Sequence, residues 1–201
     1  TIRLDIADNI ATITLNRPER LNAMGPQMAD EISEAHDNLG GARALIITGE
    51  GRAFCSGADL QARGGAAALG ASGPYGALTR SYNPTMVKLS KLNVPIITAV
   101  NGPAAGVGCS LALCSDFAIA SRSAYFLQAF VNIGLVPDGG ASWMLPRLIG
   151  KTRATQMMML GEKIGGEQAA GGPVVVGGGA GVAGVKLDFG IGERVGEAER
   201  R

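Results

Sequence analysis

The chain has 201 residues, 46% of them apolar, and a net charge of +1 from 18 basic and 17 acidic residues, enough for one substantial core and a single domain with at most an appended segment. No basic tract or acidic tail points to nucleic acid or a membrane surface, and no apolar run approaches the roughly 20 residues that span a bilayer. Cys55, Cys109 and Cys114 form an odd set without C-x-x-C spacing or a histidine cluster, which fits free thiols, no zinc site and a cytoplasmic protein acting on small molecules.

Residues 1–6 and 10–15 are short alternating β-branched runs separated by Asp8-Asn9, a hairpin pattern. They carry neither the charged n-region nor the h-region of a signal peptide, although the absence of an initiator Met leaves room for a removed leader. Met28, Ile32, Ala35 and Leu39 then fall at helical spacing until Gly40-Gly41 stops the run. Residues 45–48 and 95–100 read as continuous apolar strands of the kind buried on both faces, the second preceded by the amphipathic stretch Met86, Val87, Leu89, Leu92. Residues 62–77 are rich in Gly and Ala without pattern and read as a mobile wall or lid. Short strands at 117–120 and 125–127 lead to a turn at 134–140, a helix carrying Trp143, Met144, Leu148 and Ile149, and further helix over 152–160. Beyond Gly161 glycines dominate, so residues 1–164 form the core and 165–201 a poorly specified segment.

Two strand-to-glycine-loop segments carry the chemistry, Gly49-Glu-Gly-Arg-Ala-Phe-Cys-Ser-Gly-Ala-Asp59 and Asn101-Gly-Pro-Ala-Ala-Gly-Val-Gly-Cys-Ser110. Small side chains leave the backbone N–H groups open to close approach, and the second loop runs into a helix whose first N–H groups and dipole favour an anionic oxygen. The N–H groups of Ala58 and Val107 are the expected pair of oxyanion donors. The same glycines also suit tight strand-to-helix turns, so each loop alone has a bland reading. A dinucleotide site is excluded because Leu111 stands where a third glycine belongs. A nucleophile elbow is excluded because Phe54 and Ala58 flank Ser56 where glycines are needed, and Ala112 lies on the far side of Ser110. His36, the single histidine, lies in a polar stretch beside a helical stripe and is expected to be a solvated surface residue.

Taken with Asn16-Arg-Pro-Glu-Arg-Leu-Asn-Ala23 and Gly134-Leu-Val-Pro-Asp-Gly-Gly140, these ordered motifs resemble the crotonase, or enoyl-CoA hydratase/isomerase, superfamily over about residues 1–164. The resemblance implies an α/β spiral of repeated ββα units with a helical, oligomer-contacting C-terminal region. It implies a homotrimer or dimer of trimers, an acyl-CoA thioester substrate and no metal or redox cofactor. Ala58 and Val107 occupy its two donor positions. It also places coenzyme A contacts near Arg17, Leu21 and Ala23, with the adenine close to Ala53 and Ala58. For an arginine in a polar turn a solvated surface pair is the commoner arrangement, whereas contact between Arg17 and phosphate follows from the resemblance.

Hydratases of the family use two glutamates, and the same offsets here fall on Ser110 and Phe130, which cannot exchange protons near neutral pH. Phe130 is thereby left as a wall of the substrate site. Asp138 supplies another carboxylate, and Ala129-Phe-Val-Asn-Ile-Gly-Leu-Val-Pro-Asp138 is most similar to the isomerase branch that includes the phenylacetyl-CoA pathway. A double-bond shift needs one base and an oxyanion hole, so Asp138 is the expected proton shuttle. Asp138 is equally a natural N-cap for the following helix. Asp59 and Asp116 read as structural, the first capping a helix and the second anchoring backbone at a strand start. Hydration with water held by Asp138, Glu162 or Glu167 is the runner-up, and a non-catalytic acyl-CoA-binding homologue the third reading.

Overall fold

A computed structural model describes residues 1–60, 74–170 and 174–177. Strands β1 (Ile2–Ala7) and β2 (Ile10–Leu15) pair antiparallel with Ala7 opposite Ile10. Asp8 and Asn9 turn between them at φ 52° and 60°, the two positive angles that a type I′ hairpin needs and that Asp and Asn tolerate.

From β2 onward the large sheet is parallel, and each later strand returns through a crossover. β3 (Ala44–Gly49), β4 (Ile96–Val100), β6 (Phe117–Ser121) and β9 (Val174–Gly177) add in turn, giving the order β1-β2-β3-β4-β6-β9. A second sheet takes a short piece from each turn of chain: β5 (Ala104–Ala105), β7 (Tyr125–Leu127) and β8 (Ile164–Gly165), with Cys55 bridged to Ala104. The turns that begin with β4 and β6 each give a strand to the large sheet, a short piece to the small one and then helix, while β8 and α7 lead into β9. This is the expected ββα spiral.

Helix α1 (Pro26–Asp37) starts on Pro26, whose missing N–H is harmless in a first turn, and buries Met28, Ala29, Ile32 and Ala35 on one face. α2 (Pro74–Ala77), a π turn over Leu78–Tyr82 and α3 (Asn83–Leu89) follow one another without a break. Pro84 cannot donate a hydrogen bond, and the widened π turn lies immediately before its segment. α4 (Val107–Leu113) is wholly buried, and α5 (Ala141–Ile149), α6 (Lys151–Leu160) and α7 (Gly166–Ala169) complete the helices. Leu45 and Ile47 of β3 are fully buried while Ile46 is half-buried. The sheet face toward the helices is therefore dry and the other only partly covered, short of the two-sided burial expected for this strand.

Three further expectations change. Residues 74–77, read as part of a lid, open a helical run that reaches Leu89; the rest of that expected lid, 62–73, lies outside the described residues. Val174–Gly177, placed in a helical C-terminal region, is instead a strand beside β6, with Ala118 opposite Val174. Three successive valines suit a pleated surface better than a helix; the expectation for 178–201 lies outside the described residues. His36 is half-buried, its Nδ1 3.1 Å from Asp37 Oδ1. Among the described residues no helix is long and apolar enough to cross a membrane.

Candidate functional site

The first glycine loop lies along residues 21–24. Ser56 N–H donates to Leu21 O at 3.0 Å, Met24 N–H to Gly57 O at 2.8 Å and Asp59 N–H to Met24 O at 2.9 Å. In such a parallel bridge the residue between the two bonds turns its own N–H the other way. Ala58 is that residue, so its N–H faces away from Met24.

The second loop meets the first at glycines. A β-carbon on Gly57 would stand 3.1 Å from Ala105 O and 4.0 Å from Gly106 Cα, so the two backbones approach as closely as they do because neither glycine carries a side chain. Gly106 adopts φ 52°, ψ −126° ahead of α4, a conformation that only glycine enters at low cost. Cys109 N–H and Ser110 N–H both donate to Gly106 O. Val107 N–H precedes these bonds and is one of the helix's unsatisfied first donors.

Asp138 reaches the same place. Ser110 Oγ, buried in α4, donates to Asp138 O at 3.0 Å, and a β-carbon on Gly139 would stand 2.8 Å from Ser110 Cβ and 3.4 Å from Val107 Cγ2. Asp138 Oδ1 is shielded from solvent. Phe130 is buried, with Cζ 3.8 Å from where a β-carbon on Gly106 would lie. The structure thus brings Ala58, Val107, Asp138 and Phe130 around the first turn of α4.

The N-cap alternative for Asp138 is corrected by the chain trace. Gly140, at φ 83°, holds the cap position of α5, and the Asp138 main-chain carbonyl accepts Ala141 N–H at 3.1 Å. Asp138 thus stands two residues ahead of the cap position and meets this helix end through its main-chain carbonyl.

Arg17 has partners within the chain. Its Nη1 lies 2.8 Å from Asp59 Oδ2 and donates to Ala23 O at 2.8 Å. Asp59 thereby pairs with Arg17; the expectation that it caps a following helix falls on residues outside those described. Ala53 is 1% exposed, and its carbonyl accepts Asn22 Nδ2 and Asn101 Nδ2, which leaves little side-chain surface for a ligand. Leu21, Ala23 and Ala58 are half-buried beside it. Asp116 anchors backbone as expected, its Oδ2 accepting Ile96 N–H at 2.8 Å.

The runner-up carboxylates have other surroundings. Glu167 pairs with Arg122 at the surface, and Glu162 lines a cavity of about 410 Å³ with Leu113, Phe126, Leu145 and Met157; Ala58, Val107 and Asp138 do not line it. Burial pushes the Cys55 thiol up to about 11 and those of Cys109 and Cys114 up to about 12, against weaker hydrogen bonds that lower them. No thiolate nucleophile is present near neutral pH. Among the described residues no cluster of His, Cys, Asp or Glu is placed to hold a metal.

Sequence reasoning missed Asn22, Asn101 and Tyr82. Asn22 is fully buried at φ 55°, accepts Arg17 N–H and donates to Glu50 O and Ala53 O. Tyr82 Oη donates to Met24 O at 2.7 Å. The signal that was available is an asparagine in a turn where a left-handed residue is needed.

Comparison with known proteins agrees with this geometry. The family model described as enoyl-CoA hydratase/isomerase matches residues 5–176. The chain belongs to that family. A probable enoyl-CoA hydratase of Rhodobacter capsulatus is 47% identical over 171 residues, 85% of this chain and 65% of the relative. The 1,2-epoxyphenylacetyl-CoA isomerase of Escherichia coli is 44% identical over 175 residues, 82% of this chain and 64% of the relative. The crystal structure of an enoyl-CoA hydratase/isomerase from Mycobacterium abscessus superposes with a TM-score of 0.79 at 34% identity, covering 88% of this chain and 71% of that one. The chain therefore has the α/β crotonase fold and spans just under two thirds of the length of the two curated relatives.

Proposed function

We propose that the protein is an acyl-CoA isomerase that shifts a double bond through a thioester enolate, with Asp138 as the proton shuttle. The observation that carries the reading is the company of the two donors. Where a hydratase needs two glutamates stand Ser110, whose hydroxyl is spent on the Asp138 carbonyl, and Phe130, while the Asp138–Gly139 turn packs on Val107 and Ser110.

The step balances without a redox change. The carboxylate takes a proton from C2 of a 3-enoyl thioester, and the electron pair moves onto the thioester oxygen between the N–H groups of Ala58 and Val107. The dienolate then takes the proton back at C4, leaving the 2-enoyl product. One donor of this kind is worth on the order of 3 kcal/mol in the transition state. The buried wall of Phe130 keeps water from competing for C3. The reading carries an acyl-CoA thioester as substrate, no metal or redox cofactor, and a homotrimer or dimer of trimers as the assembly.

The test is NMR in deuterated water with 3-enoyl- and 2-enoyl-CoA, comparing the parent with Asp138→Asn. Migration with deuterium incorporation is expected in the parent, with the rate in the variant down about 100- to 10,000-fold. A 3-hydroxyacyl product that survives the substitution would overturn the Asp138 mechanism in favour of hydration. Binding without turnover in the parent would favour the non-catalytic reading.

A further inference from the structure

We propose that Arg17 is a positioning residue for the Ala58 donor, acting through Asp59, and not a ligand for the phosphates of the coenzyme. The inference rests on the reading of Ala58 as an oxyanion donor and adds what holds that donor in place.

The geometry is a closed ring. Met24 grips the loop on both sides of Ala58, through Gly57 O at 2.8 Å and Asp59 N–H at 2.9 Å. Arg17 Nη1 then ties the two sides together, donating to Ala23 O next to Met24 and pairing with Asp59 Oδ2 next to Ala58, each at 2.8 Å. The Ala58 N–H shares its peptide plane with Gly57 O, so turning it would break the bond from Met24 N–H, while the Asp59 N–H bond and the Arg17–Asp59 pair hold the next peptide and keep the loop from following such a turn.

Arg17 is itself held in register. Its N–H donates to Asn22 Oδ1 at 2.8 Å, and its carbonyl accepts Arg20 N–H and Asn22 N–H at 2.9 Å each. The pair is withdrawn from solvent, with side-chain exposures of 22% for Arg17 and 7% for Asp59. An incoming phosphate that drew Nη1 away would weaken the Arg17–Asp59 pair in that nearly dry place, a penalty to set against one surface contact.

The test compares parent, Arg17→Gln and Asp59→Asn on two substrates with the same acyl group, the CoA thioester and the pantetheine thioester that lacks the nucleotide. A displaced donor lowers kcat about 10- to 100-fold, by the same factor on both thioesters and in both variants. The double variant is expected to be no worse than either single, because both remove one bracket. A phosphate ligand would behave differently: KM for the CoA thioester would rise in Arg17→Gln alone, with the pantetheine thioester unaffected, and that result would overturn the proposal. So would unchanged kcat in both variants. Should Arg17→Gln not fold, the isosteric Asp59→Asn carries the same comparison.

An activity-free readout separates this inference from the reading beneath it. The carbonyl of a saturated acyl-CoA labelled with carbon-13 at C1 should move downfield when bound to the parent and return toward its free value in both variants. A bound parent complex with no shift would remove Ala58 as a donor and the inference with it. A parent that shows the shift but no turnover leaves the bracket standing and sinks only the isomerase reading.

Discussion

The two loops that supply the donors are fixed by opposite means. Around Ala58 the hold is polar: Asn22 and Asn101 converge on Ala53 O, Tyr82 reaches Met24 O and the Arg17–Asp59 pair closes the bracket. Around Val107 the hold is largely steric and main-chain. A β-carbon on Gly102 would stand 2.2 Å from Arg52 O, and one on Gly108 would stand 2.3 Å from Cys55 O and 2.7 Å from its Sγ. A backbone N–H can thus be aimed by side chains that tie the loop down, or by their absence where backbones must touch. The first kind fails in steps as bonds are removed one at a time, the second all at once.

The largest expected effect therefore lies in the steric loop. Gly102→Ala and Gly108→Ala each press a methyl group into a backbone carbonyl that cannot move alone, and each should cost about 3 kcal/mol or more. Gly165→Ala is the control, because no atom lies within 4 Å of a β-carbon there and no positive φ is involved. Denaturant unfolding should show the first two with sharply lower midpoints and the control within experimental scatter of the parent. A Gly108→Ala protein as stable as the parent would show that the two loops are less tightly apposed than this.

In the polar loop the effects should be graded. Asn22→Ala removes three hydrogen bonds from a fully buried residue and puts alanine at φ 55°, for about 2–4 kcal/mol. Asn101→Ala also removes three, from Gly49 N–H, Gly51 O and Ala53 O. Its side chain is only half-buried and Ala53 O keeps the bond from Asn22, so the loss should be smaller, about 1–2 kcal/mol. Unfolding midpoints should rank parent, Asn101→Ala, Asn22→Ala. The reverse order would mean that Asn101 is the keystone of the loop.

The same contrast explains what was legible from the sequence. The hairpin, α1, β3, β4 and both glycine loops announce themselves through local pattern: turn residues, helical spacing and apolar runs ending in small residues. The convergence of the two loops at Gly57 and Gly106 came with the family motifs. What stayed hidden is pairing across distance. Nothing local in Arg17 points to Asp59, or in Asn22 and Asn101 to one shared carbonyl, because hydrogen bonding between loops leaves no periodicity. β5 and β8, two residues each, are too short to show alternation. β9 lies among glycines that mask its valines, and Ser110 reads as a lost glutamate until its bond to Asp138 is seen.

The smallest effect at neutral pH lies at the junction of the two loops and emerges only in alkali. Cys55 and Cys109 are fully buried, with thiols raised from an ordinary value of 9.0 to about 11 and about 12 because burial disfavours the thiolate. A raised thiol keeps its proton longer in the folded state than in the unfolded one, so the stability it contributes is fully present below pH 9. That contribution falls as the unfolded chain begins to ionise and is lost as pH rises through the folded values near 11 and 12. Unfolding midpoints followed from pH 7 to 11 should be flat at first and then fall, and Cys109→Ala should blunt the fall while changing little at pH 7. An unaltered alkaline slope in that variant would locate the titration elsewhere. A large loss at pH 7 would instead show that the junction depends on the volume of the Cys109 side chain, extending the steric mode of holding from the second loop into the helix it begins.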